Sequence, residues 1–477
     1  MKSSVYESTR GGCDCAFPET LLKGIAENGG LFVPKEWPKF SADELDKVRK
    51  ARTYHPVAHI VLRKFFDRKT MKALKGMLAR AYTKKKFGES VVPVTRLAQK
   101  RYLLKVSEGP TWAFKDIALQ LLGELLDFWL EKKDAYLNVI VATSGDTGSA
   151  TIEALRGKRR IRVFVLSPKQ GGMSDVQKRQ MYGVKDKRVF NIVIDGSFDD
   201  AQAIVKVIMD DKVFKDEHHL GLVNSINWSR IIAQTVYFVW AWSRIVERRD
   251  DKVTFSVPSG NFGDAYATYV ALMMGLPIHQ IIVATNENDV LDRFFKTGRY
   301  DGRSGKPLLP TYSPSMDIRV ASNFERLLAD AFDRDGPTVA TLMARMRPGK
   351  EGWFDISDTP EFAYFASKGF VSGSCSDEET LDAIRFARTH YDVYLDPHTA
   401  VAVHVGLQKA DSRYPIVFVE TARWEKFPET LKQALGSIPR LPPKYHALMR
   451  RTNRTHRLPP DAQRVKRFVA DKLKKAA

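Results

Sequence analysis

From about residue 97 onward, short apolar runs alternate with stretches of helical periodicity. "RYLLKVS" precedes a helical pattern beginning at Phe114. "YLNVIVA" (136–142) leads into "TSGDTGSATIEAL", "RIRVFVLS" (160–167) is a short apolar strand, and "VFNIVID" (189–195) runs into a further helical stretch. "KVTFSV" (252–257) passes through "PSGNFGDA" into "YATYVALMMG", while "QIIVATN" (280–286) and "PIVFVET" (415–421) are two more apolar runs. This alternation predicts an α/β fold with a largely parallel sheet covered by helices. Residues 1–90 carry helical patterns and few strands and are expected to form a separate N-terminal domain. No internal repeat or low-complexity tract interrupts the chain.

The longest periodic stretch holds an anomaly. Phe114, Ile117, Ala118, Leu121, Leu122, Leu125, Leu126, Trp129 and Leu130 recur at helical spacing, which predicts a helix buried along one stripe. Pro110 and Thr111 are entry signals, so Lys115 falls in the first turn, where the helix dipole opposes its charge. An arbitrary lysine at a helix start is a solvated surface residue. Here the flanking Gly, Pro, Trp and Phe work against solvation, and such an amine is more easily held neutral, as imine formation requires.

Composition changes the picture only modestly. A chain of 477 residues suggests about three units, and its 44% hydrophobic and 28% charged residues suit a globular protein with a large core. No apolar run reaches the roughly 20 residues of a membrane span. The opening "MKSSVYESTRGGCDCAFPETLL" has no apolar h-region, so a cytoplasmic protein is expected. Cys13, Cys15 and Cys375 are too few for a disulfide framework; Cys13 and Cys15 read as free thiols, and no metal site is expected. The formal net charge of +20 invites a nucleic-acid partner, but half of it lies between Arg440 and Ala477, which hold 12 Lys/Arg and 2 Asp/Glu. Residues 441–477 are therefore expected to be a basic, solvated C-terminal extension ending in a short amphipathic helix, and a nucleic-acid role is disfavoured.

Two glycine-rich turns, "VATSGDTGSA" (141–150) and "VPSGNFGDA" (257–265), each follow an apolar strand and open a helix. Glycines permit the tight turn, and successive N–H groups at a helix N-terminus form an anion cradle. A ligand-free β–α connection would give the same string. Neither turn fits the Walker or the GxGxxG pattern. A third turn, "VNSINWSRIIAQTVYFVW" (223–240), carries Arg230, either a solvated helix residue or a phosphate or carboxylate clamp.

These strings, together with "STRGG", "ENGGLFVP", "GPTWAFKDIALQ", "FNIVIDGSFDDAQ", "VATNENDVLDRFFKTG", "SPSMDI", "ASNFERLL", "DPHTA" and "VETARWEKFPET", resemble threonine synthase of the bacterial and fungal type in order and spacing. The resemblance spans roughly residues 3–436 and places the chain among the fold-type II pyridoxal-phosphate enzymes. It implies two open twisted, largely parallel sheets with flanking helices plus a mainly helical N-terminal domain. It also implies a catalytic region at residues 91–440, built of two α/β subdomains with the cofactor in the cleft between them. The cofactor would be pyridoxal 5'-phosphate, held by Lys115 as a Schiff base. Ser259, Gly260, Asn261, Phe262 and Gly263 would cradle its phosphate, and Thr421 would hydrogen-bond its ring nitrogen. Thr143, Ser144, Asp146 and Thr147 would surround the substrate carboxylate, and Ser225, Asn227 and Arg230 the substrate phosphate.

The implied reaction takes O-phospho-L-homoserine and water to L-threonine and phosphate, in a monomer or homodimer. A phospho-lyase giving 2-oxobutyrate, ammonia and phosphate shares every early step, and a serine or threonine dehydratase would need no phosphate site. The chain departs from the usual pattern at Glu108, where relatives often carry His or Asn, at Trp112, and at Val401 and Ala402. Glu108 could alter the protonation of the nearby lysine. With Trp112, it leaves substrate preference open.

Overall fold

The apolar runs become two sheets. The computed structural model describes residues 4–143, 145–169, 173–302, 308–347 and 349–474. Its two units are Met1–Ala118 with Ser225–Pro439, and Leu119–Asn224 with Arg440–Ala477.

In the first unit a six-stranded sheet runs in the order Phe370–Ser374, Ile278–Thr285, Val253–Pro258, Ile416–Glu420, Arg101–Lys105, Val94–Ala98. Every neighbour pair is parallel except the last. The central strand Val253–Pro258 is buried along its whole length, because helices cover both faces. Helix Trp228–Ile245 is buried from Trp228 to Ser243. It also packs on the N-terminal helix Tyr54–Leu62, whose Val57, Ala58, Val61 and Leu62 have no exposed surface. The N-terminal residues are mainly helical, as expected, around a small antiparallel sheet centred on Val5–Ser8.

The second unit holds a five-stranded, all-parallel sheet ordered His456–Leu458, Val189–Ile194, Ile161–Pro168, Leu137–Ala142, Leu220–Gly221. Its first strand comes from the tail and corrects the expectation of a solvated extension. His456–Leu458 pairs with Ile192–Ile194, and Val465 and Val469 of helix Ala462–Lys474 have no exposed surface. They complete an apolar cluster with Phe164, Ile192 and Ile208. Arg464 and Arg467 are exposed, while Lys466 is buried and reaches Asp211 at 2.6 Å. An amphipathic helix cannot leave its apolar stripe in water when an uncovered sheet face lies within reach.

Cys13 and Cys15 form a disulfide in place of the expected free thiols, while Cys375 is free and buried. Among the described residues no helix is long and apolar enough to cross a membrane.

Candidate active site

Lys115 is the first residue of helix Lys115–Lys132, which carries the predicted apolar stripe; Ile117, Ala118, Leu121 and Leu125 have no exposed surface. Local interactions explain why the helix starts there. Asp116 accepts from the Thr111 amide at 2.7 Å and from the Thr111 hydroxyl at 2.8 Å. The buried Lys426 ammonium caps the Thr111 carbonyl at 2.9 Å. Trp112 adopts a left-handed φ of 57°, a costly conformation for a bulky residue, with its amide donating to Gly109. Beyond this turn the chain runs beside residues 421–423. The Phe114 amide donates to the Thr421 carbonyl at 2.8 Å, the Arg423 amide donates to the Trp112 carbonyl at 3.1 Å, and Ala113 and Ala422 form an antiparallel bridge. Lys115 and Thr421, far apart in sequence, are thereby neighbours. The half-buried Lys115 ammonium stands 4.7 Å from the Phe114 ring centroid. Glu108, the departure from the family pattern, is paired with Arg423 at 3.3 Å, and Arg423 also binds Glu425.

The turn Ser259–Gly263 links the central strand to helix Gly263–Met273. Phe262 takes φ 62° to make the turn, and a Cβ at Gly260 would lie 3.0 Å from Met316 Cα and Ser315 O. The first amides of the helix have no intrahelical acceptor by geometry. The Ser259 hydroxyl is buried without a partner. An orphaned buried hydroxyl at a helix N-terminus is a donor set awaiting an anion, and it suits the phosphate of pyridoxal phosphate.

Asn323, within "ASNFERLL", is the hub that joins this cradle to the Ser225 turn. Its Nδ2 donates to the carbonyls of Asn261 at 3.1 Å and Ser225 at 3.3 Å. Its Oδ1 accepts from the fully buried Arg326, which also donates to Phe32 O at 3.0 Å and Ile226 O at 2.5 Å.

The Ser225 hydroxyl lies 3.4 Å from that of Ser322. Asn227 is committed to local structure: its Oδ1 caps helix Trp228–Ile245 through the Ser229 amide and its Nδ2 donates to Leu21 O at 2.9 Å. Arg230 is buried with Nε and Nη1 unpartnered, and burial lowers it to about 10. An interior cation in that state is costly unless an anion completes it.

Two buried acids flank these groups. Burial pushes the Asp264 carboxyl up to about 7, against the opposing hydrogen bond from Tyr237 and the field of Lys115. Burial likewise pushes Glu420 up to about 7, against the Lys105 charge and the Ser107 hydroxyl that donates to it. A raised carboxyl binds its proton more tightly in the folded chain than in the unfolded one. Its contribution is therefore most favourable below about pH 4 and declines as pH rises through about 7. Glu420→Gln is accordingly expected to flatten the loss of stability between pH 5 and 7, by up to about 3 kcal/mol. Thermal melts across that range check this, and parallel melting curves for both proteins would refute it.

In the second unit, Thr143 closes the other glycine-rich turn. Its hydroxyl accepts from the amides of Gly145 and Gly148, both at 3.1 Å. Asp146 is buried in the first turn of helix Asp146–Leu155, and Gln177, which sequence reasoning missed, donates to it at 2.8 Å. Thr147 is half-buried beside it, and Ser144 lies outside the described residues. The structure thus gathers Lys115, Thr421, the Ser259–Gly263 cradle, Ser225 and Arg230 in one unit, and Thr143, Asp146 and Thr147 in the other.

Comparison with known proteins identifies the family. Residues 5–82 match the family described as threonine synthase N terminus, residues 90–344 that of pyridoxal-phosphate dependent enzymes, and residues 399–469 the threonine synthase C-terminal family. The last match carries the resemblance through the tail, beyond the limit near residue 436 read from sequence. The threonine synthase of Corynebacterium glutamicum is 44% identical over 463 residues, 96% of each chain. That of Saccharomyces cerevisiae is 38% identical, covering 91% of this chain and 90% of its own. The solved PLP-bound threonine synthase of Brucella melitensis superposes with a TM-score of 0.93 at 38% identity, over 98% of this chain and 99% of its own. The yeast enzyme superposes with a TM-score of 0.91 at 34% identity, over 99% of each chain. With family matches along the chain, near-full-length relatives and the shared sheet topology, the chain belongs to the threonine synthase family of pyridoxal-phosphate-dependent enzymes.

Proposed function

We propose that the chain converts O-phospho-L-homoserine and water to L-threonine and phosphate, with Lys115 as the lysine that binds the cofactor. The placement of Lys115 carries this reading: a half-buried amine at a helix start, held beside Thr421 and within the field of the buried Asp264. Pyridoxal phosphate, when bound, supplies an electron sink that makes protons at the substrate's Cα and Cβ removable. Lys115 Nζ would hold the cofactor and would carry the protons at those two carbons. The hydroxyl of Ser259 and the backbone of Gly260, Asn261, Phe262 and Gly263 hold the cofactor phosphate. The Thr421 hydroxyl, a neutral partner, takes the ring nitrogen without forcing a proton onto it.

Thr143, Ser144, Asp146 and Thr147 hold the substrate carboxylate at the second cradle, whose shape Thr143 and Gln177 maintain. Arg230 binds the phosphate that departs from Cγ, and its two unpartnered nitrogens support that role. Ser225 and Asn227 complete that subsite, Asn227 by fixing the turn. Water then adds at Cβ. Residues 91–440 carry the chemistry in a cytoplasmic monomer or homodimer. A nucleic-acid partner is not invoked, since tail residues such as Lys466 are tied into intramolecular pairs.

The test is incubation of the purified holoenzyme with O-phospho-L-homoserine. Equimolar L-threonine and phosphate are expected. Predominant 2-oxobutyrate and ammonia would move the assignment to the phospho-lyase reaction.

A further inference from the structure

The segment "DPHTA", Asp396 to Ala400, has no part in the reaction as derived above. It opens helix Pro397–Lys409, and Asp396 is the N-cap, accepting from the amides of His398 at 3.0 Å and Thr399 at 3.4 Å. Capping alone would account for an aspartate there. The same carboxylate, however, accepts two more hydrogen bonds. His398 Nδ1 lies 2.8 Å from Oδ1, and the Thr399 hydroxyl donates to Oδ2. All three residues are buried.

Each of these bonds leads outward to a wall of the site. The Ser315 amide donates to His398 Nε2 at 3.2 Å. An N–H donor at Nε2 requires a lone pair there, so the proton of the neutral ring sits on Nδ1 and is given to Asp396. The Phe427 ring, 5.1 Å away, packs against the imidazole and fixes its plane. Ser315 and Met316 are the backbone against which Gly260 is fitted so closely that a Cβ would lie 3.0 Å from Ser315 O and Met316 Cα. On the other side, Thr399 Oγ1 accepts from the Thr421 amide at 3.2 Å while giving its own proton to Asp396. One carboxylate therefore sets the proton positions in two chains, one ending at the phosphate cradle and one at the ring-nitrogen partner.

We propose that Asp396 is a positioning residue for the cofactor, holding the Gly260 cradle through His398 and Ser315 and holding Thr421 through Thr399. The proposal rests on the reading of Ser259–Gly263 and Thr421 as cofactor contacts. Its physical core is that only an acceptor at both oxygens satisfies both chains. In Asp396→Asn one oxygen becomes an NH2 donor. Facing His398, it drives the imidazole to the other tautomer, and Nε2–H then confronts the Ser315 amide. Facing Thr399, it removes the acceptor for that hydroxyl. Asparagine is as good an N-cap as aspartate, so the helix start is retained and the capping role is separated from the positioning role.

The experiment titrates cofactor-free protein with pyridoxal phosphate and records affinity, the near-visible absorption maximum and the phosphorus resonance of the bound phosphate. Asp396→Asn is expected to weaken binding about tenfold, the effect of one lost hydrogen bond. The melting temperature of the cofactor-free form should shift little. His398→Gln should move the phosphorus resonance and leave the absorption maximum in place. Thr399→Val should move the absorption maximum and leave the resonance in place. Unchanged affinity and spectra in Asp396→Asn would reduce Asp396 to a helix cap. Should that variant fail to fold, loss of the split between the two single-chain variants overturns the proposal equally. Failure of the functional reading looks different: the unmodified protein would then bind no pyridoxal phosphate at all.

Discussion

Lys115→Ala is expected to lower threonine formation at least a thousand-fold and to abolish the near-visible absorbance of lysine-bound cofactor. The size follows from the two duties assigned to one amine, attachment of the cofactor and proton movement at two substrate carbons. No neighbouring group can take both over. Asp264 feels the charge of the lysine, but it is buried and already bonded to Tyr237. Lys115 is half-buried and its charge rests over the Phe114 ring, so truncation leaves no large cavity and folding should survive. Threonine assay, absorption spectrum and thermal melt together check this. A variant that keeps a tenth of wild-type turnover, or keeps the absorbance, would remove Lys115 from its assigned place.

Truncation after Thr455 is expected to destabilise the second unit severely. It deletes the edge strand His456–Leu458 and the helix whose Val465 and Val469 are fully buried against Phe164, Ile192 and Ile208. Burial of each valine is worth about 1.5–3 kcal/mol, and the partly buried Leu458 and Phe468 add to it. Whole-domain stabilities are only about 5–15 kcal/mol. The truncated chain should therefore melt more than about 10 °C lower or fail to accumulate in soluble form, with activity lost in parallel. Neutralising the exposed Arg467 by Arg467→Gln should change stability by less than about 0.5 kcal/mol, separating packing from charge. A truncated protein with the melting curve of the full chain would show that the edge strand and helix contribute nothing to the sheet.

Much of the architecture was legible because it follows from local periodicity. The strand over 253–258 and the helix from 115 onward read clearly, since each is buried along a long face and its pattern repeats. Phe370–Ser374 was missed: its five residues include two serines and Gly373, which give no apolar alternation. His456–Leu458 was missed for a related reason. Three residues with a histidine and an arginine resemble any basic turn, and an edge strand needs apolar residues on one side only. The tail helix displays its stripe plainly, but amphipathicity states only that a partner exists, and strong positive charge is equally compatible with a solvated segment.

The sites divide the same way. The glycine turns, the helix-start lysine and the "DPHTA" and "NSINWSR" strings were visible because backbone conformation and residue type are local properties. What brings Lys115 beside Thr421 is a bridge between segments some 300 residues apart, and no pattern within either segment encodes it. Asn323 and Gln177 went unnoticed for that reason: each is an ordinary polar residue until the fold sets it against a loop that needs a donor. By itself the sequence determined most of the element types, the two glycine-rich strand-to-helix turns and the lysine at a helix start. Only the tertiary structure decided that Arg230 lies in the interior with unpartnered nitrogens, that Asp264 and Glu420 hold their protons to about pH 7, and that the basic tail completes a sheet. The physical reason is that burial and hydrogen-bond partnership depend on which distant segments meet, whereas strand and helix periodicity are written residue by residue.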